Sequence, residues 1–301
     1  MDLRKEHKKM SLAARRRNVA GYLFIAPALI GMSLFYVFPM LFSFGTSFTD
    51  WNLMTTPSFV GGDNYMELMN DSVYLKSIRV TFYYTLLAVP LSNIYALLMA
   101  MLLNAKIRGR SVVRTIFYVP SIVPAVASAG VWMYIFNPYN GFLNQIFLQL
   151  GFDPKMWIYD SKQVIPCIVA MAVWAAGGTA VIYLAALQGV PSELHEAVAI
   201  DGGNGLHKFF YITVPMISPI IFYNLIMGVI NSMQVFTQGY IMTDGGPNNG
   251  SLFYVLLLYR RAFEQTKMGT ACAMAWILFF ILGILTLLNF ALSRKWVYYG
   301  G

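Results

Sequence analysis

Six long stretches of the chain carry no ionisable acid, base or imidazole, and polar segments of uneven length separate them. The apolar runs cover residues 20–44, 80–104, 115–136, 164–187, 217–236 and 268–292. A helix needs roughly 20 residues to cross the hydrocarbon layer of a bilayer, and each run is long enough. The pattern therefore predicts an all-α membrane protein with six transmembrane helices. Pro120 and Pro124 interrupt the start of the third run; membrane helices tolerate proline where neighbours or water satisfy the freed carbonyls. A further short helix is predicted between the fourth and fifth runs. Pro191 and Ser192 offer its start, with Ser192 as the capping side chain. Residues 193–200 hold no breaker, and Leu194, Ala197 and Val198 share one face. Gly202 and Gly203 supply the permissive backbone that ends it. Asn204 can cap a second segment, whose apolar side runs through Phe209 and Ile212 towards Pro215. A helix of two turns is marginal alone in water, so it calls for a partner surface.

Composition agrees with a membrane chain, since 58% of residues are hydrophobic and only 11% charged, against about 25% charged in soluble domains. The net charge of +8 could suggest a nucleic-acid binder, but the positions of the charges say otherwise. With the N-terminus inside, fourteen basic residues fall on the cytoplasmic side: Arg4, Lys5, Lys8, Lys9, Arg15, Arg16, Arg17, Lys106, Arg108, Arg110, Arg114, Lys208, Arg294 and Lys295. Seven fall outside, namely Lys76, Arg79, Lys155, Lys162, Arg260, Arg261 and Lys267. That bias satisfies the positive-inside rule and makes the basic excess a topology signal, with no nucleic acid implied. It also places both termini and the segment around Glu196 in the cytoplasm. The first seventeen residues are expected to be disordered or to lie at the lipid headgroups, and the first run is too long for a secretory signal.

Catalytic chemistry is not visible. Cys167 and Cys272 sit in predicted spans, and His7, His195 and His207 lack metal-ligand spacing. No G-x-x-x-x-G-K-[ST] phosphate loop and no G-x-S-x-G occur. The empty list of intramembrane ionisable residues disfavours a proton- or ion-coupled carrier, where such residues form the relay. A membrane-embedded enzyme is disfavoured by the missing nucleophile and base.

From Glu196 onwards the sequence resembles the cytoplasmic loop of ABC-importer permeases, patterned E-A-A, three residues, Gly, nine residues, I-x-L-P. Glu196, Ala197, Gly202, Ile212 and Pro215 fall on that spacing, with Val198 in place of the second Ala and Val214 in place of Leu. Phe59-Val60-Gly61-Gly62-Asp63-Asn64-Tyr65 is similar to the F-V-G-x-x-N-Y segment of binding-protein-dependent carbohydrate permeases of the maltose and multiple-sugar type. Residues 114–120, 141–144, Gly245-Gly246-Pro247 and Trp296-Val297-Tyr298-Tyr299 also resemble that group.

The resemblance implies the type I importer architecture: a basic tail at 1–19, a permease domain at 20–292 with a coupling loop at 188–216, and a short tail at 293–301. It implies a multi-pass permease in the plasma membrane of a prokaryote that catalyses no reaction. Such a chain binds no cofactor, because ATP and Mg sit on the partner ATPase. The implied partners are a second permease subunit, a different chain forming a heterodimer with a homodimer as the alternative, two ATP-binding subunits, an extracytoplasmic solute-binding protein, the bilayer and a sugar. Glycerol-phosphate-like solutes or polyols are the alternative cargo, and an energy-independent carrier or channel is the alternative class.

The same resemblance assigns ATPase coupling to Glu196, Ala197, Asp201 and Gly202. The outer location of the turn-rich Asp244, Gly245, Gly246, Pro247 and Asn248 suits docking of the binding protein, the plainer reading being a connecting loop. Sugars offer hydroxyls to amides and apolar ring faces to aromatic planes, and polar groups in spans normally face the bundle interior. Asn224, Asn231 and Gln234 in the fifth run, Trp174 in the fourth and Trp276 in the sixth are therefore the expected substrate path. The plainer reading of those five is that the amides bridge helices and the tryptophans pack.

Overall fold

The computed structural model describes residues 12–105 and 109–298. Residues 1–11, most of the basic tail, lie outside this range, as do Lys106, Arg108 and the end of the C-terminal tail from Tyr299. Among the described residues the fold is helical, relieved by one isolated bridge between Thr49 and Phe59.

The chain begins with α1 (Leu12–Met32), which continues through a π-helical stretch, Ser33–Val37, into α2 (Phe38–Thr46). Residues 12–17 are thus helical rather than disordered, as Leu, Ala and Arg are all strong helix formers. After a loop come α3 (Asp63–Asn70) and the long α4 (Ser72–Asn104). The third apolar run is split into α5 (Arg110–Ile122) and α6 (Ala125–Ile135), bent by 101°. Val123 is extended at the break, as a residue before proline prefers.

Then follow α7 (Phe142–Gln149) and the fourth run, which is also broken, into α8 (Val164–Trp174) and α9 (Gly177–Gln188) with a 47° bend. No proline marks this second break. The backbone of Phe117 in α5 lies against Gly177 so closely that any Cβ there would collide with its carbonyl.

The remaining elements are α10 (Ser192–Ile200), α11 (Gly205–His207), α12 (Val214–Met233), α13 (Thr237–Thr243), α14 (Tyr254–Tyr259) and α15 (Met268–Ser293). Lys208–Thr213 joins α11 to α12 as a π-helical stretch, so 205–233 reads as one continuous rod. Among the described residues, four helices are long and apolar enough to cross a membrane, or up to six if each bent pair counts as one span.

The centre of the packing is α4, which lies against α8, α9, α12 and α14. Its apolar contacts include Tyr84, Ala88, Ala96 and Ala100, all buried. Small residues let helix backbones approach, which matters in lipid, where burial of apolar surface alone supplies little drive for helices to associate. Polar pairs then fix the register. Tyr183 donates to Asn93 Oδ1 at 2.7 Å, and the Tyr254 backbone amide donates to Thr81 Oγ1 at 2.8 Å. The Tyr254 hydroxyl donates to the Met274 carbonyl at 2.7 Å and meets Tyr74 Oη at 3.2 Å. Burial first, and then the neighbouring Tyr74 phenol, push the Tyr254 hydroxyl above the ordinary tyrosine range, so it stays protonated and remains a donor.

Two asparagines organise the loops at the far end of α12 from α10. Asn64 Nδ2 donates to the carbonyls of Ser47 and Thr49, both at 2.8 Å, while its Oδ1 accepts from Thr270 on α15. Asn144 is almost fully buried and saturated. Its Nδ2 donates to the Pro138 and Lys155 carbonyls, and its Oδ1 accepts from the Lys155 amide and Trp157 Nε1. The Arg261–Asp71 ion pair and the Lys267–Glu67 pair tie α3, α4 and the segment before α15 together.

Candidate translocation cavity and coupling loop

A cavity of about 670 Å³ opens between α4, the α8–α9 pair and α12, and reaches the start of α13. Asn224, Asn231 and Gln234 all line it, joined by Tyr84, Ser92, Asn93, Thr179, Tyr223, Thr237 and Gln238. Its walls contain amides, hydroxyls and aromatic rings, and among the described residues no Asp, Glu, Lys, Arg or His lines it. The three amides expected from the fifth run differ in depth. Asn224 is buried against the wall, whereas Asn231 and Gln234 are exposed. Gln234 lies past the last turn, because α12 ends at Met233 rather than at Phe236.

The two tryptophans lie elsewhere. Trp174 closes α8 and sits edge-on to Trp132 at 5.9 Å. Trp276 donates to Ser43 Oγ at 3.2 Å and packs on Phe44 in a separate 200 Å³ cleft between α2 and α15. Sequence reasoning passed over Asn93, although an amide inside an apolar run was a visible signal. Thr237 and Gln238 lay beyond the fifth run and gave none.

At the α10 end, the short predicted helix forms over Ser192–Ile200 and buries no residue. Its N-cap position is held by Pro191, and no side chain caps it. Ser192 is the first helical residue, so the expected serine cap is corrected, the boundary having moved by one position. The other end forms as the glycines predict. Gly202 adopts φ +80°, the Gly203 amide donates to the Val198 carbonyl at 2.8 Å, and the Gly202 amide donates to Ala199 at 3.2 Å. Asn204 caps the next segment, its Oδ1 accepting from the His207 amide at 3.0 Å.

Glu196, Ala197, Asp201 and Gly202 are all exposed on this helix–turn. Ile200 is 86% exposed, and Leu206, Phe210 and Tyr211 beside it are also exposed.

The turn-rich hairpin stands beyond the opposite end of α12. Asp244, Asn248 and Asn249 have positive φ, as does Gly245, and the Gly246–Pro247 peptide is cis. Arg260 donates to the Asp244 carbonyl and carboxylate, and Lys76 Nζ donates to the Asn248 carbonyl. Asp244 and Asn248 are exposed, Gly245 is buried, and Gly246 and Pro247 are half-buried.

A polar but uncharged cavity beside a rod that carries an exposed helix–turn at one end defines a multi-pass membrane transport component. The chain belongs to the family of binding-protein-dependent transport system inner membrane components, whose pattern matches residues 92–297. It is 41% identical to the probable ABC transporter permease protein YesP of Bacillus subtilis, over 97% of this chain and 96% of that one. It is 33% identical to the multiple sugar-binding transport system permease protein MsmF of Streptococcus mutans, over 91% of this chain and 95% of that one. Its fold is that of a chain in the crystal structure of a bacterial alginate ABC transporter bound to a pentasaccharide-loaded periplasmic protein. There the TM-score is 0.81 at 21% identity, covering 93% of this chain and 96% of that one.

Proposed function

We propose that this chain is half of the translocation path of an ATP-driven sugar importer, with six spans and both termini in the cytoplasm of a prokaryotic cell. The observation that carries the reading is the uncharged cavity whose walls present amides, hydroxyls and aromatic rings beside α12. Neutral saccharides need those groups. A phosphorylated polyol would call for a cation, and none lines the cavity. The reading is further supported by the sugar transport named for MsmF.

On this reading the basic tail at 1–19 and the tail at 293–301 flank a permease domain at 20–292, and the loop at 188–216 takes up force. Glu196, Ala197, Asp201 and Gly202 form the contact with one of two ATPase subunits, which hold ATP and Mg; this chain binds no cofactor and performs no covalent step. The rod spanning 205–233 is roughly 44 Å long at 1.5 Å per residue. Motion imposed at α10 therefore reaches the cavity through a single continuous helix. Asp244 to Asn248 meet the extracytoplasmic binding protein, and a second, different permease subunit completes the path. Asn231 and Gln234 face the sugar directly, Asn224 supports the wall, and Trp174 and Trp276 brace helices.

The test is uptake by proteoliposomes holding the chain with its permease partner and ATPases. Accumulation of a labelled neutral saccharide that requires both ATP and the binding protein supports the reading. Equilibration without ATP would mark an energy-independent carrier.

A further inference from the structure

Four aromatic rings form a continuous series leading out of the cavity. Phe236 is part of the cavity lining. Tyr240 stacks on it one turn along, at 5.3 Å between centroids and 15° between planes. Tyr259 on α14 packs against both, at 5.3 Å from Phe236 and 5.8 Å from Tyr240. Phe263 follows at 5.3 Å from Tyr259, within the π-helical stretch Arg260–Glu264. Phe236 and Tyr259 are half-buried, Tyr240 is 41% exposed and Phe263, the ring farthest from the cavity, is 61% exposed. Core aromatics would be covered, and none of these four is.

The charges beside the series are engaged elsewhere. Arg260 binds Asp244 and Glu264, and Arg261 binds Asp71. The rings therefore present neutral, apolar faces in a neighbourhood where these ions are paired with one another.

We propose that Phe236, Tyr240, Tyr259 and Phe263 form a stacking track that receives successive units of a neutral oligosaccharide and leads them to the cavity. The inference rests on the saccharide reading above and extends it, because a track of several rings favours chains of several units over single sugars. Stacking is tolerant of sugar identity, since a pyranose ring offers an apolar face whatever its hydroxyl pattern, while the cavity amides supply orientation. Continuity with the cavity distinguishes this series from an interfacial aromatic belt, whose rings serve lipid headgroups.

The test uses the complete importer in proteoliposomes with its binding protein. The probes are tritiated neutral glucose oligosaccharides of one to five pyranose units from a starch hydrolysate. Tyr240→Leu, Tyr259→Leu and Phe263→Leu remove a ring while keeping apolar volume. Each should lower uptake of chains of three or more units by about threefold to tenfold, the range expected for one aromatic contact, and leave the shortest transported saccharide within about twofold. Tyr240→Phe and Tyr259→Phe keep the ring and should behave as wild type. ATPase stimulation by the loaded binding protein should persist in all variants.

Equal effects on short and long chains, or none, would overturn the track while leaving the saccharide reading intact. Loss of subunit copurification in the leucine variants, with the phenylalanine variants intact, would assign the rings to the permease interface and also overturn it. Uptake of none of the probes by the wild-type complex would overturn both readings.

Discussion

Single asparagines illustrate how differently one side chain can be used in this molecule. Asn144 is 1% exposed and makes four hydrogen bonds, so its amide acts as a structural node between two loops. Replacing it by Leu would leave two carbonyls, one amide and the Trp157 indole N–H without their partner. Buried unsatisfied groups cost about 1–3 kcal/mol each, and partial access to water softens the sum. We expect Asn144→Leu to lower the thermal stability of the detergent-purified complex by several degrees, read from a scan of intrinsic fluorescence. An unchanged midpoint would show the loops to be held by other contacts.

Asn231 is the opposite case, an exposed amide on the wall of an uncharged cavity. Asn231→Leu should reduce sugar uptake about fivefold to thirtyfold while subunits still copurify and ATPase stimulation survives. The estimate is the loss of one or two hydrogen bonds of about 1 kcal/mol each. Collapse of assembly would make Asn231 structural, and wild-type uptake with Gln234→Leu added would remove both residues from the path.

Among the elements, α10 and the rod from 205 to 233 are the ones on which the proposed coupling rests. A nine-residue helix with no buried residue cannot hold its shape by propensity alone, and its surface invites a partner. The turn after it depends on Gly202 at φ +80°. Proline has φ near −65° and lacks the amide that Gly202 donates to Ala199. Gly202→Pro should therefore misdirect α10 against the rod, abolishing transport by the assembled complex while the ATPase retains basal turnover. Glu196→Lys reverses charge at an exposed position of the same helix and should weaken copurification of the ATPase. Normal transport by both variants would make the loop a passive hairpin.

The broken helices show the complementary lesson. The bend between α5 and α6 is written in proline, whereas beside the bend between α8 and α9 the lack of a side chain at Gly177 admits the backbone of α5, a contact 60 residues away in sequence.

At the scale of the whole molecule, the two polar ends of α12 must lie on opposite sides of the bilayer if the rod crosses it. A periplasmic-type reporter inserted beside Asp244 should be active only outside, and one fused after Gly301 should report only the cytoplasm. Reversal of either result would remove the proposed location of α10. A photocrosslinker at Asn248, exposed on the hairpin, should capture the binding protein during turnover. No adduct there, together with normal transport by Asn248→Trp, would reduce the hairpin to a connection. The first span also belongs to this scale. None of its apolar window is buried within the chain, which leaves that surface to lipid or to the second permease subunit.

Hydrophobic periodicity by itself determined the helical membrane class, because solvation by a bilayer acts on composition over some 20 residues and is blind to tertiary contacts. The α10 turn was legible for a similar reason, since glycine backbone freedom and asparagine capping at Gly202 and Asn204 are local properties. The amide stripe of α12 was legible as well, as helical spacing puts Asn224 and Asn231 on one face. What remained hidden depended on neighbours. Only packing decided that Asn224 is buried while Asn231 is open, that Trp174 and Trp276 stand away from the cavity, and that rings on α13 and α14 join into one series. Those outcomes come from side chains far apart in the chain competing for the same space, and no local pattern records that competition.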